Sequence, residues 1–217
     1  MNKFSHIGEE LKEHLPFSIF SVVIGMVIMG FMNFIADMLG AGDISGPSKE
    51  LFHIFHPVHI LFSAAATTAM FWRHEKKVLK ALVIGFVGSV GICGLSDIAI
   101  PYIAGLLMGV NMQLHVCIIE HPFFIMPFAV VGLIAGFLLP HYNKTGTIFS
   151  HTGHVLISSM ASILYLIGYG MNDWIHSAGL VLIYMIIAVV LPCCTSDIIL
   201  PLYFIKGHKH TKSCGCS

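Results

Sequence analysis

Charge is what this sequence has least of. Only 10% of its 217 residues are Asp, Glu, Lys or Arg, against about 25% in a soluble domain. Acids and bases cancel at 11 each, so there is no basic face to recruit a nucleic acid. A secreted disulfide framework is also missing. The six cysteines (Cys93, Cys117, Cys193, Cys194, Cys214 and Cys216) lie in apolar runs or in the last few residues, the wrong setting for one. No cleavable signal peptide is read at the start, because the first apolar run is too long and has no small-residue cleavage site. The zinc-protease signature His-Glu-x-x-His is absent too, since His74-Glu75-Lys76-Lys77 is followed by Val78.

What fills the chain instead is apolar sequence. It is 56% hydrophobic with a mean hydropathy of +0.86, the composition of an all-α integral membrane protein whose main partner is the lipid bilayer. Six apolar runs long enough to cross follow a polar lead-in over residues 1–15. They cover Pro16–Leu39, Leu51–Trp72, Leu79–Met108, Pro122–Leu139, Ile148–Met171 and Ala178–Ile205. With the N-terminus inside, Lys3, Lys12, Arg73, Lys76, Lys77, Lys80, Lys144, Lys206, Lys209 and Lys212 are cytoplasmic and only Lys49 is outside. Such a bias sets orientation, and it puts both termini in the cytoplasm.

Inside this apolar background, polar phrases recur. Cys93-Gly94-Leu95-Ser96-Asp97-Ile98-Ala99-Ile100-Pro101 is answered 100 residues later by Cys193-Cys194-Thr195-Ser196-Asp197-Ile198-Ile199-Leu200-Pro201. His56-Pro57-Val58-His59 is answered by His151-Thr152-Gly153-His154 at an offset of 95, and Glu13-His14 before the first span by Glu120-His121 before the fourth. Three matches in one order predict a duplication with three spans per half, residues 1–110 and 111–207, followed by a tail at 208–217. An odd number of spans inverts the second half, the 3+3 inverted-topology repeat of many secondary transporters. The prolines predict that spans three and six are broken at Ser-Asp-x-x-x-Pro, freeing backbone carbonyls.

An ionisable group at membrane depth is a functional candidate by default. Fourteen histidines accompany these carboxylates, and imidazole with carboxylate is a ligand set for divalent transition metals of the Zn, Mn, Fe, Co and Ni class. Zinc is the first choice. Counting depth from the span ends puts His56, His59, Asp97, Glu120 and His121 towards the outer face. The mirror set Glu13, His14, His151, His154 and Asp197 falls towards the inner face. The expectation is therefore two like clusters on opposite sides. Ser96 and Ser196 would orient the carboxylates, His53 and His115 would widen the outer site, and Cys93, Cys193 and Cys194 are supporting candidates that read more simply as core residues. The tail, with His208, His210, Cys214 and Cys216, suits a metal-capture arm or a plain polar end.

The function expected from this pattern is transport of a divalent transition-metal ion. Two other classes compete: a membrane-embedded metalloenzyme using metal-activated water, and a bis-histidine b-haem electron carrier. A structural account also exists, in which buried Ser-Asp pairs pin helices together. A homo-oligomer is compatible with all of these.

Overall fold

The computed structural model describes the backbone of residues 3–138 and 144–204, and the side chains of Lys12, residues 15–138, 153–197 and 199–204. Every regular element among the described residues is helical. The main ones are α1 (Lys3–Met38), α2 (Ser45–His74), α3 (Val78–Leu107), α4 (Pro122–Leu138), α5 (Lys144–Gly168) and α6 (Ile175–Phe204), with one further turn at Cys117–Glu120. Four helical stretches are long and apolar enough to cross a membrane: Leu15–Met38 within α1, α2, α3 and α6. Pro122–Leu138 and Gly153–Gly168 are shorter apolar helices.

The distribution of side chains is inverted relative to a water-soluble bundle. Phe20, Val27, Phe31 and Phe34 of α1, Phe123 of α4 and Leu180 and Ile183 of α6 face outward, while the interior holds His56, His59, Asp97, His154, Ser158 and Ser162. An apolar exterior and several long apolar helices are compatible with a multi-pass membrane protein, whose solvent is hydrocarbon. Buried polar groups are costly there unless they satisfy one another.

α2 is the central helix, packed against α4 on one side and α5 on the other. Its buried face runs Ser48, Phe52, His56, His59, Ser63 and Thr67, spaced three and four apart and therefore stacked on one side of the helix. On α5 the residues His154, Ser158, Ser162 and Tyr165 do the same and are likewise buried. Two polar stripes thus face the middle of the protein. The contact between α2 and α4 depends on Gly132 and Gly136. A Cβ on Gly132 would sit 2.3 Å from the Leu61 carbonyl oxygen, and one on Gly136 would sit 2.6 Å from the Thr68 Cβ. This is the small-xxx-small packing of membrane helices.

Spans three and six are not broken as the prolines suggest. Both remain helical throughout but are widened by π-turns, at Val87–Gly94 in α3 and Thr195–Ile199 in α6. The first π-stretch ends just before Ser96-Asp97, whereas the second contains Ser196-Asp197. Pro101 and Pro201 each remove the N–H that would bond the carbonyl four residues earlier, which is that of Asp97 and Asp197 respectively. In α6 the π-turn spans Asp197 itself, whereas in α3 the segment from Leu95 through Pro101 is ordinary α-helix and the widened turns lie ahead of it. The two π-stretches come together at Gly88, where a Cβ would lie 2.8 Å from the Ser196 Oγ and 2.9 Å from the Thr67 Cγ2.

Candidate metal centre

The polar stripes of α2 and α5 meet at their middles. His59 Nε2 lies 2.8 Å from His154 Nε2, and both residues are fully buried. The expectation of two clusters on opposite faces is not what the fold builds: His59 and His154, one from each expected cluster, are in contact. The depth count failed at α2. It counted inward from a span starting at Leu51, but the helix begins at Ser45, with Pro57 inside it. His59 is therefore close to the midpoint of the 30-residue helix.

Two cysteines complete the group. The ligand atoms of His59, Cys93, His154 and Cys193 all lie within 4.8 Å of one another, and all four residues are buried. Cys193 Sγ is 3.9 Å from His154 Nε2 and 3.7 Å from the Ser158 hydroxyl. Cys93 Sγ is 3.8 Å from the Pro192 carbonyl oxygen. Each cysteine comes from a proline- or glycine-rich part of its span, Cys93 inside the first π-stretch and Cys193 just ahead of the second.

The aspartates stand behind the histidines. Asp97 Oδ2 accepts from His59 Nδ1 at 2.6 Å and lies 3.1 Å from His56 Nδ1. Asp197 Oδ2 pairs with His154 Nδ1 at 2.9 Å. An ionised carboxylate can only accept, so each aspartate favours the tautomer with the proton on Nδ1, which leaves Nε2 available to an ion. With no ion between them, the two Nε2 atoms at 2.8 Å must share a proton. This carboxylate–histidine arrangement is the usual way a protein fixes the tautomer and raises the basicity of a metal-binding imidazole. Asp97 and Asp197 are thus one ring removed from the position at which sequence reasoning put them.

Hydroxyls hold the other carboxylate oxygens, crossing between the halves. Ser158 and Ser162 of α5 each donate to Asp97 Oδ1 at 3.4 Å. Thr67 of α2 donates to Asp197 Oδ1 at 3.1 Å and lies 3.0 Å from Ser196 Oγ, which also contacts Ser63 at 3.3 Å. Ser63 and Ser158, and likewise Thr67 and Ser162, stand at the same offset of 95 as His59 and His154. The serines singled out from the sequence behave differently from one another. Ser96 turns back onto the Cys93 carbonyl at 2.8 Å, and Ser196 reaches Asp197 only through Thr67. The missed partners, Thr67 and Ser162, were detectable as a continuation of the His59/His154 register.

The remaining candidates lie elsewhere. His53, His115 and His121 form a separate group of three, less buried than the first. Glu120 Oε2 pairs with His115 Nδ1 at 2.8 Å. Cys194 is buried next to Cys193 but is not one of the four converging residues. The side chains of Glu13, His14 and His151, and the whole tail 208–217, lie outside the described residues.

The four-residue centre has a definite chemical preference. Two imidazoles and two thiols form a soft N₂S₂ set suited to zinc or another thiophilic ion, not to Mg²⁺ or Ca²⁺. A tetrahedral zinc separates its ligand atoms by about 3.3–3.8 Å, from bond lengths of about 2.0–2.1 Å to nitrogen and 2.3 Å to sulfur. The observed spread, from 2.8 Å to at most 4.8 Å, brackets that range, so the residues fit the ion. A haem does not fit between these histidines, because their ring centroids are only 4.7 Å apart. Comparison of the chain with protein-family models, curated proteins and solved structures finds no match, so the functional reading rests on the chemistry of these residues.

Proposed function

We propose that the protein transports a thiophilic divalent transition-metal ion, zinc foremost, across a membrane through the His59–Cys93–His154–Cys193 centre. In this reading six helices cross the membrane as an inverted 3+3 repeat, and both termini face the cytoplasm. The observation that carries it is the convergence of two duplicated motifs on one buried point. Each half contributes one histidine nitrogen, one cysteine sulfur and one carboxylate behind the histidine.

Three features favour transport over the alternatives. The centre is flanked by two π-widened helices, one in each half. The widened turns lie ahead of Ser96-Asp97 in one and around Ser196-Asp197 in the other, and this resembles the irregular helices around transporter sites. π-turns are themselves frequent at functional sites. The four side chains supply a complete tetrahedral set, leaving no position for the water that a hydrolytic metal needs. Finally, two neutral thiol and two imidazole donors become a charge-neutralising cage for a dication once the thiols ionise, which suits an occluded ion in a low-dielectric interior.

The test is metal content of the purified protein and zinc-65 flux into proteoliposomes, for wild type and for Cys93→Ser, Cys193→Ser and His154→Gln. The expected result is one tightly held ion per chain and saturable flux in the wild type, with both abolished in each variant. Flux that persists in all three variants removes the proposal. A tightly bound ion without any flux reduces the centre to a structural one.

A further inference from the structure

Seven residues of α2 carry three histidines, one at every third position. His53, His56 and His59 are each three residues apart, so about 4.5 Å of helix rise separates each from the next; His56 and His59 lie on the buried stripe and His53 beside it. Exposure falls along this ladder. His53 is partly buried, while His56 is 1% and His59 0% exposed. His59 belongs to the central N₂S₂ group, and His56 shares Asp97 with it. His53, at the outer end, belongs to the second group.

That second group repeats the logic of the first with nitrogen alone. His53 Nε2 faces His115 Nε2 at 3.1 Å, and the Glu120 carboxylate holds His115 Nδ1 from behind. His121 completes a set whose ligand atoms lie within 4.8 Å of one another. The segment that presents His115 is itself tied down. Its backbone N–H donates to the Tyr165 hydroxyl at 3.1 Å, and the Gln113 N–H donates to the Tyr169 carbonyl at 2.8 Å. The His115 ring stacks on Tyr169, with centroids 5.0 Å apart and planes 8° apart.

Between the two groups lies an aromatic partition. Phe52 is fully buried and stacks on His56 at 4.9 Å. It meets Tyr165 and Tyr169 edge-on at 5.2 and 5.8 Å. The outer group is reachable, since His121 is exposed and Glu120 is about half exposed, whereas the inner one is sealed behind these rings.

We propose that His53, His115 and His121 form a second, all-imidazole metal site, and that it loads the buried centre with its ion past Phe52 by way of His56. Three imidazoles select borderline divalent cations such as Zn²⁺, Co²⁺ and Ni²⁺, and leave a fourth position for water. The binding stands on the outer geometry alone; the loading role rests on the transport reading above.

Cobalt(II) titration of the full chain in detergent separates the two. Cobalt at the inner site gives an intense thiolate-to-metal charge-transfer band, and cobalt at the outer site gives ligand-field bands without it. The wild type is expected to take two equivalents. The double variant His53→Gln/His121→Gln is expected to take one and keep the thiolate band, which also shows that it is folded. Cys93→Ser/Cys193→Ser is expected to lose the thiolate band and keep the outer equivalent. A wild type whose single cobalt shows the thiolate band, or a His53→Gln/His121→Gln variant that still binds two, overturns the outer site. A wild type whose single cobalt shows no thiolate band, and is lost in His53→Gln/His121→Gln, removes the inner site and leaves the outer one standing. In zinc flux, the His121→Gln variant is expected to show a KM raised about tenfold or more at unchanged maximal rate. An unchanged KM overturns the loading role.

Discussion

Replacing Asp97 by asparagine tests whether the aspartates act through the histidines or bind the ion themselves. The side chain is fully buried, and its Oδ2 accepts from His59 Nδ1 at 2.6 Å while lying 3.1 Å from His56 Nδ1. Asparagine preserves the shape. Its carbonyl oxygen can still accept from His59, and its amide can donate to Ser158 and Ser162 where the carboxylate accepted. What disappears is the negative charge. A hydrogen bond to a charged group contributes about 1.5–3 kcal/mol against about 0.5–1.5 for a neutral one. The difference at His59 is then about 1–1.5 kcal/mol, with a smaller share through His56. At about 1.4 kcal/mol per factor of ten, zinc affinity should fall by about five- to fiftyfold, which overlaps the usual effect of removing such an outer partner. The assay is competition for zinc against a chromophoric chelator of known affinity, with purified protein in detergent. An unchanged affinity would mean that the Asp97–His59 contact does not tune the site. A loss as complete as that of Cys93→Ser would mean that Asp97 is itself a ligand, and either outcome refutes the reasoning. Asp197→Asn should behave in the same way, because Asp197 stands in the same relation to His154.

Three further outcomes follow from the packing and the site. Cys93→Ser and Cys193→Ser should each cost more than the about hundredfold ceiling of an outer partner, measured in the same competition assay, because each removes a ligand atom from a closed set of four. Gly132→Ala should destabilise by about 1–3 kcal/mol, since the added Cβ meets backbone of α2 at 2.3 Å, whereas Gly30→Ala, with its nearest atom at 3.9 Å, should be close to neutral; thermal unfolding in detergent compares the two. At the entrance to α2, the Ser45 backbone N–H and hydroxyl, each 2.8 Å from the Asp43 carboxylate, hold that carboxyl below its ordinary value of 3.8. A depressed folded-state pKa means a contribution present above the unfolded pKa and lost as pH falls through the folded one. Asp43→Ala should therefore lower the unfolding temperature slightly at pH 7, and the gap to wild type should close in acid.

The sequence carried more of the site than of its geometry. The register of His59 with His154, Cys93 with Cys193 and Asp97 with Asp197 was visible as a repeat, and these are the residues that converge. Their depth was not visible, because it turns on where α2 begins. The apolar run starts at Leu51, yet the helix begins about a turn and a half earlier, at Ser45, in polar residues that hydropathy does not mark. The cysteines were legible as duplicated and illegible as ligands, since a small buried thiol packs as well as it binds. Which atoms face the ion depends on the rotation of α3 and α6 through their π-stretches, and no periodicity in those glycine- and proline-bearing segments encodes it. Gly85, Gly88, Gly132 and Gly136 sit in tight helix contacts, whereas Gly91 faces only Val87 of its own helix. Spacing marks small residues but not what lies opposite them.

The distribution of donor atoms between the halves has a mechanical consequence. His59 and Cys93 lie in the first half of the chain, and His154 and Cys193 in the second, with no ligand shared. Any displacement that draws the halves apart divides a fourfold cage into two bidentate claws, each still braced by its own aspartate. Neither claw needs to change a rotamer to lose its grip. The strength of the grip is thereby tied to the spacing of α2 and α3 from α5 and α6, a question of ångströms rather than of chemistry.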